Sequence, residues 1–303
     1  MSTALGIHIS EQCLRVVYLE KSEDSYSLKD VFNQAISTPF DFNQDTDPPE
    51  SLINEFTQAL ESKLPHALPS ISFALTGGLY HIQKVPLEVA GKEDRKDQIV
   101  WETTQALISP PQDAIIDFIP AGRVAFWIAV HKRVVEIHER LCRDLGDVSL
   151  SFTVEPLALF YAGKATNVWQ PGRQAAIHLT MPWSSFVSVE DGLLTAAETV
   201  RTPKYSNTQI HQIQQWISGD LAGSPRRSPH NEVFLSGQAK DISQNDINST
   251  SDTNLTEYPG LRDIDTTQLQ NQAQLDHSPP STYTVAIGAA THNIVQAENP
   301  DNV

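Results

Sequence analysis

Ala4-Leu5-Gly6-Ile7-His8-Ile9-Ser10-Glu11-Gln12 runs directly into Cys13-Leu14-Arg15-Val16-Val17-Tyr18-Leu19. Apolar residues alternate with small or polar ones on either side of Ser10-Glu11-Gln12, which reads as strand, tight turn, strand. The shape recurs in Ala175-Ala176-Ile177-His178-Leu179-Thr180-Met181-Pro182, followed by Ser185-Phe186-Val187-Ser188-Val189 and the turn Glu190-Asp191-Gly192. His8 and His178 hold matching places before the two turns, as do Ser10 and Thr180. One hairpin used twice points to a fold built from two similar halves.

Around the first hairpin, strands are predicted over Ala4–Ile9, Leu14–Glu20 and Tyr26–Ile36. A helix follows Asp47-Pro48-Pro49, with Asp47 as its expected cap and Leu52, Ile53, Phe56, Ala59, Leu60 and Leu64 on one face. Ser70–Leu75 is a strand ending in Thr76-Gly77-Gly78. From 79 to 154 the pattern is β-α-β-β-α-β, a small α+β subdomain. Its first helix, Lys92–Leu107, is expected to turn Ile99, Val100, Thr103 and Leu107 inward, with Trp101 in the core. Its second, His131–Leu145, stops at Gly146.

Glu155-Pro156-Leu157-Ala158 opens a helix leading back to the first half. Beyond the second hairpin, Thr208–Leu221 is expected to be a helix with Ile210, Ile213, Trp216 and Ile217 inward. Glu232–Leu235 is a buried strand ending in Ser236-Gly237. Asn, Asp, Ser, Thr and Gln dominate from 240 to 282, which reads as a long, poorly ordered loop. Order returns with the small apolar run Ile287-Gly288-Ala289-Ala290.

The chain has 303 residues, 40% of them apolar, and a net charge of -16. That is enough apolar material for one large domain or two modest ones. The acidity argues against nucleic-acid binding and against adhesion to an anionic membrane, since both need clustered Lys and Arg. Cys13 and Cys142 read as two buried thiols rather than a disulfide framework. No leader and no spanning segment of ~18 apolar residues is visible, so a cytoplasmic protein without direct membrane insertion is expected.

In this order and spacing the segments resemble the actin-like ATPase superfamily, in the branch of FtsA and the type IV pilus assembly protein PilM. The hairpin Leu5–Leu19, Val85-Pro86-Leu87 with Trp101-Glu102, Ala114–Phe118, Glu155–Ala158, Phe234–Gly237 and Ile287–Ala290 carry the resemblance. It implies an α/β fold: duplicated ribonuclease-H-like halves with an inserted small α+β subdomain. The first half would be 1–78, completed by 155–172 and 283–303; the insert 79–154; the second half 173–282.

Active members place Asp-x-Gly at both turns. The resemblance therefore implies a degenerate nucleotide pocket made of His8, Ser10, Glu11, His178, Thr180, Ser236, Gly237 and Gly288. Mg²⁺ favours hard oxygen ligands, and neutral imidazole is a poor substitute. Without the glycines, backbone N–H groups cannot close on phosphate oxygens. Glu11 repels a triphosphate, and Pro182 removes a backbone donor. Phosphoryl transfer rests on positioning and charge neutralisation, so a pseudo-ATPase is expected, with ATP and Mg²⁺ as weak candidates only. Two imidazoles are too few for a closed zinc site, and no metal is expected.

The resemblance implies a non-catalytic cytoplasmic scaffold of a pilus or secretion machine, peripheral at the inner membrane through a protein partner. That partner would be the cytoplasmic tail of a PilN-like bitopic protein. Its groove is expected near the Thr76–Val85 strand and the Lys92–Leu107 helix. Two alternatives stay open: an active or weakly active ATPase or kinase, and a scaffold of a type II secretion or cell-division assembly.

Overall fold

The computed structural model describes residues 2–10, 12–23, 25–64, 70–87, 92–106, 111–180, 182–201, 207–218, 230–237, 254–267, 269, 275 and 278–298. Two sheets of like topology are its frame. The first has the order β14-β3-β2-β1-β4-β8. It is built from β1 (Ser2–Ser10), β2 (Cys13–Ser22), β3 (Ser25–Ala35), β4 (Ser70–Leu75), β8 (Leu150–Val154) and β14 (Ile264–Asp265). The second has the order β11-β10-β9-β12-β13. Its strands are β9 (Arg173–Leu179), β10 (Trp183–Glu190), β11 (Leu193–Arg201), β12 (Glu232–Gly237) and β13 (Asn254–Glu257).

In each sheet an antiparallel hairpin and third strand lie on one side, and two parallel strands follow on the other. The registers superimpose. His8 lies opposite Ala74 of the neighbouring parallel strand, and His178 lies opposite Ser236. The duplicated α/β architecture expected from the two hairpins is therefore what forms.

Alternation along the strands decides what each face meets. On β1 and β2, Leu5, Ile7, Leu14 and Val16 pack outward against Leu52, Ile53, Phe56 and Leu60 of α1 (Glu50–Glu61). On the second sheet, Ile177, Leu179 and Phe186 meet Ile213, Trp216 and Ile217 of α5 (Asn207–Ser218). The inner faces meet two helices that are buried along nearly their whole length, α4 (Glu155–Ala165) and α6 (Thr284–Glu298). Small residues let them approach. A Cβ on Gly6 would lie 1.8 Å from Ala286 O, and one on Gly288 would lie 1.7 Å from Ala158 O. A helix apolar on nearly all sides belongs in a core, and α4 is such a helix apart from the exposed Lys164 in its last turn and the buried Glu155 in its first.

A third sheet, β5-β7-β6, is formed by β5 (Tyr80–Pro86), β6 (Ala114–Ala121) and β7 (Val124–His131). Val85, Ala125 and Trp127 face Ile99 of α2 (Lys92–Ala106), while Phe126, Ile128 and Val130 face the main core. The chain order β-α-β-β-α-β is as expected over 79–154, but its end joins the body. Strand β8 pairs in parallel with β4, and α3 (Lys132–Leu141) seals Leu141 against the α1 layer.

Other expectations change too. The N-cap of α1 is Pro49, and Asp47 instead receives Arg133 and Arg140 from α3. Val100 and Trp101 lie on the outer side of α2, Trp101 with 61% of its surface exposed, because Ile99 and Thr103 are the buried residues among its described side chains. Cys142 is buried and Cys13 half-buried. Part of the expected 240–282 loop is ordered: β13 extends the second sheet, β14 edges the first, and Tyr258 is buried between. Leu107 and Ile210 lie outside the described side chains. Among the described residues, no helix is long and apolar enough to cross a membrane.

Candidate functional site

The ends of β1 and β9 face each other across the first turn of α4. Pairing with β2 and β4 on one side, and with β10 and β12 on the other, fixes His8 and His178 on the inner faces. Their rings stand edge to face, 5.4 Å between centroids. Glu155 lies with them, fully buried. Its Oε1 accepts from His8 Nε2 at 3.0 Å. Its Oε2 accepts from Ser185 Oγ at 2.6 Å and from the Gly77 N–H at 3.3 Å. One carboxylate thus ties β1, the turn after β4, and β10 of the second half.

Burial sets the electrostatics. It pushes the Glu155 carboxyl above its ordinary value, with His178 and the Ser185 hydroxyl pulling the other way. Desolvation holds His8 well below its ordinary value, and the Arg15 charge adds to that. His178 is driven to about 3, chiefly by desolvation, with the Glu155 charge opposing. Both imidazoles are therefore neutral at pH 7.

The structure brings together His8 and His178 of the two hairpins and Ser236 at the end of β12. His178 Nδ1 lies 2.8 Å from Ser236 Oγ. Gly237 is held at φ +77, where a Cβ would meet Leu179 O at 2.3 Å, so only glycine fits. Ser10 accepts from Arg15 Nη1 at 2.5 Å, and Thr180 Oγ1 donates to Trp183 O at 2.6 Å. Both line a cavity of about 200 Å³ with Thr76, Gly77 and Trp183. The indole of Trp183 lies against Gly77 and Gly78 and leaves no room there for a side chain. Gly288 is not part of this cleft: it is the point where α6 touches the α4 backbone at Ala158. Glu11 lies outside the described residues.

Sequence reasoning missed Glu155 and Ser185. Glu155 was legible in one respect, as a lone acid at the start of an otherwise apolar helix. The donor set at the turns fits Mg²⁺ poorly, since two imidazoles stand at the turns and both oxygens of Glu155, the carboxylate there among the described residues, are already engaged.

A second, larger feature is an apolar groove of about 480 Å³ between the small sheet and the body. Residues 117–121 of β6 and 152–154 of β8 line it, with Leu157 and Tyr161 of α4 and Leu193 of β11. Each of β6 and β8 ends its sheet, so each borders the groove with an unpaired strand edge among the described residues. This groove lies on the β6 side of the small sheet, and its lining comes from residues other than the Thr76–Val85 and Lys92–Leu107 segments.

The two-sheet frame around α4 and α6 is the actin-like ATPase fold. The chain is similar over 96% of its length to 98% of a chain from a PilM–PilN type IV pilus biogenesis complex, at 13% identity and TM-score 0.74. It is also similar, over 84% of its length, to 90% of a Bacteroides thetaiotaomicron protein with an actin-like ATPase fold and unknown function, at 13% identity and TM-score 0.54. No family model matches the chain, and no curated protein does.

Proposed function

We propose that this protein is a non-catalytic scaffold of a type IV pilus or related secretion machine. In this reading it holds the cytoplasmic tail of a PilN-like bitopic membrane protein in the groove beside β6. The observation that carries the proposal is an apolar floor bordered by two strands, β6 and β8, that end their sheets among the described residues. An extended peptide adds main-chain hydrogen bonds at such an edge, and its alternate side chains enter the floor. The likeness to a chain from a PilM–PilN complex supports this occupant. A chain with net charge -16 suits a partner whose cytoplasmic flank is basic, and a tethered tail is a way for an acidic protein to work at an anionic membrane.

The cleft supports the non-catalytic half of the proposal. Where a nucleotide enzyme needs free oxygens and open backbone donors, His8, His178 and the engaged Glu155 stand instead. The protein would act in the cytoplasm, peripheral at the inner membrane through its partner.

The test is a titration with synthetic tails of bitopic membrane proteins encoded beside this chain, followed by fluorescence anisotropy. Ile115 and Leu193 are 44% and 59% exposed, so Ile115→Asp with Leu193→Asp leaves the fold intact. Saturable binding lost in that double variant is the expected result; binding that the variant leaves unchanged overturns the groove assignment. Calorimetry with Mg-ATP runs alongside, and saturable heat with phosphate release would bring the enzyme reading forward.

A further inference from the structure

The His8–Glu155–His178 cluster joins both halves of the fold, and the scaffold reading gives it no task. One donor atom from each residue lies within 4.8 Å of the other two, and all three side chains are buried. Two imidazole nitrogens, His8 Nδ1 and His178 Nε2, are buried without a hydrogen-bond partner among the described residues. The Ser236 hydroxyl reaches Ile177 O at 3.4 Å. If it donates there, His178 Nδ1–H donates to Ser236 Oγ, and Nε2 is left as a bare lone pair. A buried acceptor without a donor is costly, and its persistence asks for an explanation.

We propose that this cluster is a zinc site, with His8, His178 and Glu155 as ligands and water in the fourth position. Two imidazoles with one carboxylate is a known zinc donor set, and nitrogen donors favour zinc over Mg²⁺. Binding asks His8 to carry its proton on Nδ1, so that Nε2 turns its lone pair to the metal. The Nδ1–H is then a buried donor without an acceptor among the described residues, a cost that lowers the affinity, so the unpartnered acceptor that favours the ion is His178 Nε2. It also asks Glu155 to exchange its hydrogen bond from His8 for the ion. Ser185 and the Gly77 N–H keep their hold on the second carboxylate oxygen and fix its direction. The Ser236 hydroxyl does the same for the His178 ring. Arg15 contributes an opposing positive charge, which keeps the affinity moderate. The ion would crosslink β1, α4 and β9, and so hold the two halves together on either side of the connecting helix.

The experiment uses the full chain, stripped with EDTA and dialysed. Co²⁺ is added as a spectroscopic probe, and Zn²⁺ is titrated against a chromophoric chelator. Expected are visible d–d bands of a four-coordinate Co²⁺ ion, one Zn²⁺ per chain, and a rise in Tm with added Zn²⁺. His178→Gln should weaken Zn²⁺ by at least about 100-fold, the upper end of what changes around ligands cost. Glu155→Gln keeps the size and hydrogen-bonding capacity of the side chain and removes the anionic ligand, so it should also weaken Zn²⁺ while remaining folded. His138→Gln, a buried histidine elsewhere, should leave binding unchanged. Absence of the cobalt bands in the native chain overturns the proposal, with no variant needed. So does zinc that stays at one equivalent in both His178→Gln and Glu155→Gln.

Discussion

Replacing Glu155 by Ala removes the acceptor for three buried donors at once: His8 Nε2–H, the Ser185 hydroxyl and the Gly77 N–H. A donor stranded without water costs about 1–3 kcal/mol. The three are not equal. Ser185 has Thr199 Oγ1 at 3.3 Å as an alternative, and the Gly77 bond is long, so His8 bears most of the penalty. Added to that is the cavity left by the lost carboxymethyl group, in a place with 0% exposure. Against it stands the relief of no longer burying a carboxylate. The balance is a loss of about 2–4 kcal/mol, from the stranded His8 donor and the cavity rather than from an unpaired charge, since His8 is neutral. Glu155→Gln should cost about 1 kcal/mol. Its amide oxygen accepts from Ser185 and Gly77, and its NH₂ donates to His8 once the ring proton moves to Nδ1. The assay is urea unfolding at pH 7 followed by circular dichroism, in EDTA so that metal plays no part, with the m-values compared before the midpoints. An alanine variant within about 1 kcal/mol of the native chain, or a glutamine variant as damaged as alanine, would refute the idea that this carboxylate is the acceptor joining the halves.

Two further outcomes follow from packing. His138, held to about 4 by desolvation among the rings of Phe42, Phe73 and Phe152, is neutral when folded. The unfolded chain takes up that proton first, so its contribution is complete above pH ~6.5 and is lost as pH falls toward 4. Between pH 7 and 5 this residue should account for about 2 kcal/mol of lost stability, and His138→Gln should flatten the measured dependence by that amount; an unchanged slope counts against it. Gly288→Ala adds a methyl 1.7 Å from Ala158 O, and helix backbones cannot yield as a side-chain tip does. Overpacking of about 1–3 kcal/mol or more outweighs the gain in helix propensity of about 1 kcal/mol, so Tm should drop by several degrees; a rise would mean that α4 and α6 are less tightly apposed than described.

Local pattern carried the architecture a long way, because each hairpin announces itself by alternation and the halves repeat it. Leu5 and Ile7, or Ile177 and Leu179, name their outward faces without help from the rest of the chain. Errors arose where the partner of a residue is distant. Strand β8 reads the same whether it closes the small sheet or extends the large one, and only its pairing with β4 decides. Trp101 has the composition of a core residue, yet the face of α2 is chosen by Ile99 and Thr103 against Trp127 and its neighbours. Asn254–Glu257 looks too polar for a sheet, but as an edge strand it needs one partner and one buried follower, Tyr258. Gly288 belongs to a small-residue run that suits a ligand contact or a helix contact equally, and Ala158 settles the matter. The candidate site shows the same division. His8 and His178 can be paired by their places in two hairpins, since a duplication is visible in one dimension. Glu155 breaks no local rule as the first residue of a proline-started helix. Its meaning lies in burial, because a carboxylate at 0% exposure must be bound on every side, and the donors that bind it come from 147 and 78 residues earlier and 30 residues later in the chain.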